Sequence, residues 1–172
     1  MTSPDQLRVL PGVGEALATL RTEVPGLRIA VITNQRGIAR GLMTAETLEE
    51  IHARLRADLA RDGATVDRIE VCPHEISTCD CRKPGLALFE QALAAWPGVE
   101  VSGAAVVGDS AVDVIAGERL GARTYLVGDP DRRADEAAIA ATAGATPAEE
   151  AASLPALVDD SRLGRWLRDG IA

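Results

Sequence analysis

The chain has 172 residues, 47% apolar but only 2% aromatic, with a net charge of −8. That length suits a single domain whose core is built from Ala, Val, Leu and Ile. The acidic balance argues against nucleic acid, whose phosphates demand a basic face, yet leaves room for a small anionic substrate held by a local cluster of donors. No apolar stretch is long enough to span a membrane and none resembles a signal peptide, so the expected setting is the cytoplasm.

Residues 1–10 carry no motif. Pro11 is suited to open a helix, because the N–H it lacks would be unpaired there anyway. Val13, Ala16, Leu17 and Leu20 then form an apolar stripe at helical spacing, broken by Pro25-Gly26. Leu27 to Thr33 is a compact run rich in β-branched residues and reads as a buried parallel strand. It ends in the polar loop Asn34-Gln35-Arg36-Gly37. Thr44 is a candidate N-cap, with Glu46, Glu49 and Glu50 placed favourably for the helix dipole. Leu48, Ile51, Leu55 and Leu59 give that helix its buried stripe, and Asp62-Gly63 ends it. His52 lies inside it with no partner spacing and reads as an ordinary helix-surface histidine rather than a ligand.

A second strand is expected over Val66 to Val71. It delivers the chain into Cys72-Pro-His-Glu-Ile-Ser-Thr-Cys-Asp-Cys-Arg-Lys-Pro84, which holds all three cysteines of the chain and one of its two histidines. Thiolates and imidazole are the ligands zinc prefers, and a closed structural site takes four in a tetrahedron. Cys72, His74, Cys79 and Cys81 meet that count. Three free cysteines beside a surface histidine is the alternative. A disulfide would leave an odd thiol, and nothing else suggests an oxidising compartment.

A helix is expected from Leu86 through Trp96, stopped by Pro97-Gly98. Ala104 to Val107 reads as a third strand, followed at once by Gly108-Asp109-Ser110 and by a helix over Ala111 to Leu120 with Gly121 as its C-cap. Thr124 to Val127 reads as a fourth strand. Strands alternating with helices imply an α/β fold, a parallel sheet with helices on both faces. Residues 129–150 show no clear strand and read as an extended loop or a loose helix. Leu154 to Leu157 and Leu163 to Leu167 suggest a closing helix that docks Trp166.

In an open parallel sheet, ligands bind beyond the carboxyl ends of the strands. Three polar clusters fall there: Thr33-Asn34-Gln35, the cysteine loop with Arg82-Lys83, and Gly108 to Asp113. Together they offer a hydroxyl, amides, a lysine, an arginine and two carboxylates. That set suits an anionic phosphate beside a hard cation such as Mg²⁺, which takes carboxylate oxygens.

The order of these clusters resembles the haloacid dehalogenase (HAD) superfamily. More narrowly, Ala30 to Gly41, Cys72-Pro-His74, Cys79 to Pro84 and Val107-Gly-Asp109 resemble the heptose-bisphosphate and histidinol-phosphate phosphatases. The resemblance spans about Pro11 to Val127. It implies a three-layer α/β/α Rossmann-like fold and Mg²⁺-dependent hydrolysis of a phosphate monoester. By it, Thr33 holds the phosphoryl group, Lys83 neutralises its charge, Asp109 ligates Mg²⁺ and Asp113 supports that site. Asn34, Gln35, Arg36 and Arg82 would face the substrate. Zinc at Cys72, His74, Cys79 and Cys81 would be structural, shaping the loop that presents Arg82 and Lys83. Heptose bisphosphate and histidinol phosphate both stay open as substrates, and oligomeric state is left open.

One departure is serious. Phosphatases of this superfamily begin with a strand ending in Asp-x-Asp, whose first Asp is the nucleophile and second the general acid/base. No Asp-x-Asp here ends a strand: Asp5 has no second Asp two positions on, and Asp129-Pro-Asp131 follows Val127 in a loop. In the family that strand lies between those ending at Thr33 and Asp109. Without it, unpaired backbone groups would cost about 1–3 kcal/mol each. Several would rival a domain's net stability of roughly 5–15 kcal/mol. So the flanking strands pair directly, or something else fills the space, or the sequence is an N-terminally shortened form; the last is expected. This chain alone should then turn over phosphate esters poorly or not at all. Two other readings remain, a non-catalytic phosphate- and zinc-binding regulatory subunit and a zinc module with no phosphate role.

Overall fold

The computed structural model describes residues 2–160 and 162–171. Pro4–Gln6 form a short 3-10 turn, and Leu7 behind it is buried with Met43, Leu48 and Ile51. The first helix, α1, spans Val13–Glu23. It starts later than Pro11 predicts, because Gly12 takes the N-cap in a left-handed conformation (φ 78°). Strand β1 is Ala30–Asn34 and α2 is Ala45–Arg61, capped as expected by Thr44 Oγ1, which accepts from the Thr47 N–H. Strand β2 is Arg68–Cys72, α3 is Ala87–Ala94, β3 is Ala105–Gly108 and α4 is Ala111–Leu120 with Gly121 as C-cap. Strand β4 is Arg123–Val127.

The acidic, alanine-rich segment departs from its expected looseness. It forms a firm helix, α5, over Pro130–Thr142, because Asp129 accepts from two N–H groups of its first turn and Pro130 opens it. A fifth strand that the sequence did not reveal, β5, spans Glu149–Ala151. It is short and charged, and only its place beside β4 makes it a strand. Helices α6 (Leu154–Asp159) and α7 (Arg162–Ile171) close the chain. Trp166 packs as expected against the core, with the Arg123 guanidinium 5.6 Å from its ring. Residues 161 and 172 of the expected tail lie outside the described residues. His52 is buried at 5% exposure, not on the surface, and its Nδ1 lies 3.4 Å from Glu49.

The strands form two parallel sheets rather than one, β1–β2 and β3–β4–β5. β1 and β3 do not pair among the described residues, so direct closure between them, one of the three expected solutions, is not what the chain does. Alternation along β4 serves both faces: Tyr125 enters the layer of α1, α6 and α7, while Leu126 enters the layer of α4 and α5. Helix α1 joins the two sheets. Its Ala16 and Leu20, with Val24 just past its end, pack with Ala105, Val107 and Tyr125. Its Val13, Leu17 and Ala18 pack with Ile29, Val31 and Ile69.

Candidate phosphate and metal site

The cysteine loop folds into a compact donor cluster. The Sγ atoms of Cys72 and Cys79 are 3.5 Å apart, those of Cys79 and Cys81 are 3.3 Å apart, and His74 Nδ1 is 3.2 Å from Cys81 Sγ. All four donor atoms lie within 4.8 Å of one another. A tetrahedral zinc with bonds of about 2.3 Å to sulfur puts two thiolates about 3.8 Å apart, so the set fits that ion with little movement. Cys72 is fully buried. Burial pushes the Cys79 thiol up, but hydrogen bonds from Cys81 and Cys72 outweigh it and hold it at about 7. Cys81 is pushed up to about 12 by burial and then by the Cys72 and Cys79 thiols beside it. Packed sulfurs that cannot all ionise together are what a cation would relieve.

This loop ends at Lys83, whose position is set from three sides. Asn34 Oδ1 accepts from the Lys83 N–H at 3.0 Å, and Asn34 Nδ2 donates to the Lys83 carbonyl at 3.4 Å. The Lys83 ammonium donates to the Ile32 carbonyl at 2.6 Å and pairs with Asp113 Oδ1, also at 2.6 Å. Both side chains are mostly buried, at 14% and 8% exposure. Ser110 Oγ donates to the other Asp113 oxygen at 2.7 Å. Gly108 permits this arrangement, since a Cβ there would run into the Asp113 side chain.

The residues picked from the sequence therefore gather at one end of the two sheets, with unequal duties. Thr33 stands at the end of β1, and its hydroxyl accepts from Gln35 Nε2 at 3.0 Å. The Gln35 backbone N–H donates to the Cys72 carbonyl at 2.8 Å, joining the loop after β1 to the cysteine loop. The Asn34 amide is spent on the Lys83 backbone. Arg36 pairs with Glu75 Oε1 at 3.3 Å. Arg82 has its Nη1 buried with no hydrogen-bond partner. Asp109 is 60% exposed and pairs with Arg132 at 2.9 Å.

Four participants escaped sequence reading. Glu75 holds Arg36 and also Arg40 Nε, at 2.8 Å. Arg40 donating to its carboxylate, with the Ile76 N–H, holds Glu75 down at about 2. Arg132 reaches Asp109 from α5, and Glu136 on the same helix accepts from the Ala111 N–H at 2.7 Å, capping α4. None has a spacing that marks it, because each acts across a distance only the fold closes.

Comparison with known proteins identifies the family. A family profile described as Hydrolase_like, HAD-hyrolase-like, matches residues 80–156. The D-glycero-beta-D-manno-heptose-1,7-bisphosphate 7-phosphatase of Pseudomonas putida is 43% identical over 119 residues, covering 69% of this chain and 66% of that protein. The D-glycero-alpha-D-manno-heptose-1,7-bisphosphate 7-phosphatase of Mycobacterium tuberculosis is also 43% identical, over 63% of this chain and 57% of that protein. The chain thus spans less than two thirds of the length of these curated relatives. A crystal structure of D,D-heptose 1,7-bisphosphate phosphatase from B. bronchiseptica, complexed with magnesium and phosphate, superposes with a TM-score of 0.77 at 32% identity, covering 93% of this chain and 87% of that one. The chain belongs to the heptose-bisphosphate phosphatase family of HAD-like hydrolases.

Proposed function

We propose that this chain carries the phosphate- and metal-binding part of a Mg²⁺-dependent phosphomonoesterase, acting on a heptose bisphosphate or a similar sugar phosphate. The observation that carries the reading is the Lys83 ammonium, held by Asp113 and the Ile32 carbonyl beside Thr33 at the carboxyl ends of the strands. In this reading Thr33 donates its hydroxyl to the phosphoryl group and Lys83 offsets its charge. Gln35, Arg36 and Arg82 face the rest of the substrate, and the unpartnered Arg82 Nη1 has a donor to spare. Asn34 acts one step back, by fixing the Lys83 main chain. Histidinol phosphate is the less favoured substrate, because the named relatives act on heptose bisphosphates. Those relatives differ in anomer, so the anomer stays open.

Two metals fit the donors at hand. The hard carboxylate of Asp109 is exposed and tied only by an ion pair at the surface, so it is free to meet Mg²⁺ with water and substrate phosphate completing the shell. Both Asp113 oxygens are engaged by Lys83 and Ser110, which suits a supporting place. Bound Mg²⁺ would supply charge neutralisation at the phosphate. Zinc at Cys72, His74, Cys79 and Cys81 would hold the loop, a use of thiolates that suits a reducing compartment such as the cytoplasm.

Among the described residues no strand lies between β1 and β3 to carry a carboxylate, so the chain alone is expected to bind phosphate without hydrolysing its esters. The alternative of a non-catalytic binding subunit draws on the same observation. The test is calorimetric titration of the chain with inorganic phosphate and Mg²⁺, alongside an assay of sugar-phosphate hydrolysis. Phosphate binding that Lys83→Ala abolishes is the expected result. Absence of phosphate binding overturns the reading, and hydrolysis by the chain alone overturns its impairment.

A further inference from the structure

The first two turns of α5 are pinned beside the end of β3. Asp129 caps the helix, and Arg133 Nη1 donates to the Gly128 carbonyl at 3.0 Å. Glu136 Oε2 accepts from the Ala111 N–H at 2.7 Å. Arg132 and Glu136 are four residues apart and so share one face of the helix. Because Glu136 is fixed to the first residue of α4, Arg132 lies one turn nearer the loop that precedes α4. There its guanidinium meets Asp109 Oδ2 at 2.9 Å. The two side chains are 58% and 60% exposed, so Arg132 has room to turn while α5 stays in place.

The donors that an anion would otherwise find at the start of α4 are already used. A helix that follows a parallel strand can offer its first N–H groups to a phosphate. Here the Ala111 N–H serves Glu136, and the Ser110 hydroxyl serves Asp113. Cations nearby are committed as well. Arg36 and Arg40 share Glu75, and Lys83 pairs with Asp113. Arg132 differs from these three in its partner, which is the carboxylate proposed above to ligate Mg²⁺. An Asp109 that ligates Mg²⁺ spends its charge on the metal, and two cations that close repel each other.

We propose that Arg132 is a phosphate-binding residue held in reserve by Asp109. It is released when Asp109 ligates Mg²⁺, and then pairs with the phosphoryl group bound at the same metal. This rests on the phosphatase reading, which supplies the metal and the phosphate. Charge balance favours the exchange. Without ligands, Lys83 neutralises Asp113 and Arg132 neutralises Asp109. With Mg²⁺ and a phosphate dianion both bound, the site is balanced again and the freed guanidinium has an anion beside it. With Mg²⁺ alone it has none. Arg132 should therefore couple the two ligands, each tightening the other by the same factor.

The test is calorimetric titration of the full chain and of Arg132→Ala with MgCl₂ and with inorganic phosphate, each alone and in the presence of the other. Removing an exposed ion-pair partner should let Asp109 take Mg²⁺ alone about threefold more tightly. Phosphate affinity without Mg²⁺ should hardly change, because Arg132 is then held by Asp109. With Mg²⁺ saturating, the variant should bind phosphate about tenfold more weakly, having lost a charge-assisted contact. By reciprocity it should also bind Mg²⁺ about threefold more weakly once phosphate is saturating, the opposite sign to its effect on Mg²⁺ alone. Thermal unfolding should be nearly unaltered, since the pair is exposed. An equal loss of phosphate affinity with and without Mg²⁺ would show a charge acting at a distance and overturn the exchange. Unchanged affinities in the variant, while the unaltered chain binds both ions, overturn the role of Arg132 and leave the phosphatase reading standing. Failure of the unaltered chain to bind either ion overturns that reading and this one with it.

Discussion

Lys83 and Asp113 meet at 2.6 Å, nearly out of water, and join a loop after β2 to the helix after β3. Removing one member leaves the other charged and poorly solvated. Lys83→Met is expected to lower unfolding free energy by about 3 kcal/mol. Adding Asp113→Asn should recover part of that loss, giving a coupling of about 1–2 kcal/mol in a denaturant-based double-mutant cycle. Strict additivity would show that the two side chains do not depend on each other.

Zinc binding should release protons, and the thiols set the slope. Cys81, pushed up to about 12, enters the free site protonated at neutral pH and must lose its proton to ligate. Cys79, held at about 7, adds a further proton only when the pH falls below that value. Apparent zinc affinity should therefore rise with pH throughout, and more steeply below about 7 than above it. Competition with a chromogenic chelator at several pH values measures this. Stripping zinc should also raise hydrogen exchange across residues 72–83 and weaken phosphate binding.

Glu75 joins the loop after β1 to the cysteine loop through Arg36 and Arg40. All three side chains are substantially exposed, so Glu75→Gln should change global stability by less than about 1 kcal/mol. Its effect should be local, with faster amide exchange at residues 36–41. High salt should bring the unaltered protein part of the way toward the same behaviour.

Gly108→Ala places a methyl group against the Asp113 side chain. The expected cost is about 1–3 kcal/mol, since neither β3 nor the start of α4 has room to give. Thermal unfolding measures it. Phosphate affinity should fall with it, because Asp113 can no longer lie where Lys83 meets it.

Much of this protein was legible in the chain itself. Runs rich in β-branched residues marked four strands, because strands of a parallel sheet covered by helices are enriched in them. Cys72, His74, Cys79 and Cys81 stood out because a metal cluster within one loop needs only local closure. The Thr33 and Asp109 clusters drew notice because each sits at a strand end, and Lys83 because it closes the loop that follows β2. Harder to see were β5, whose Glu149-Glu150-Ala151 gains strand geometry only from pairing with β4, and the buried place of His52.

The sequence by itself determined the alternating elements, the grouping of Cys72, His74, Cys79 and Cys81 in one loop and the lack of an Asp-x-Asp at a strand end, since each is written in residues close along the chain. Only the tertiary structure decided that β1 and β3 stay apart, that the Asn34 amide serves the Lys83 backbone, and that Lys83 spans from Ile32 to Asp113. Those outcomes depend on backbone groups and side chains brought together from distant segments. Their geometry is set by how α1 packs on both sheets, which no local spacing records.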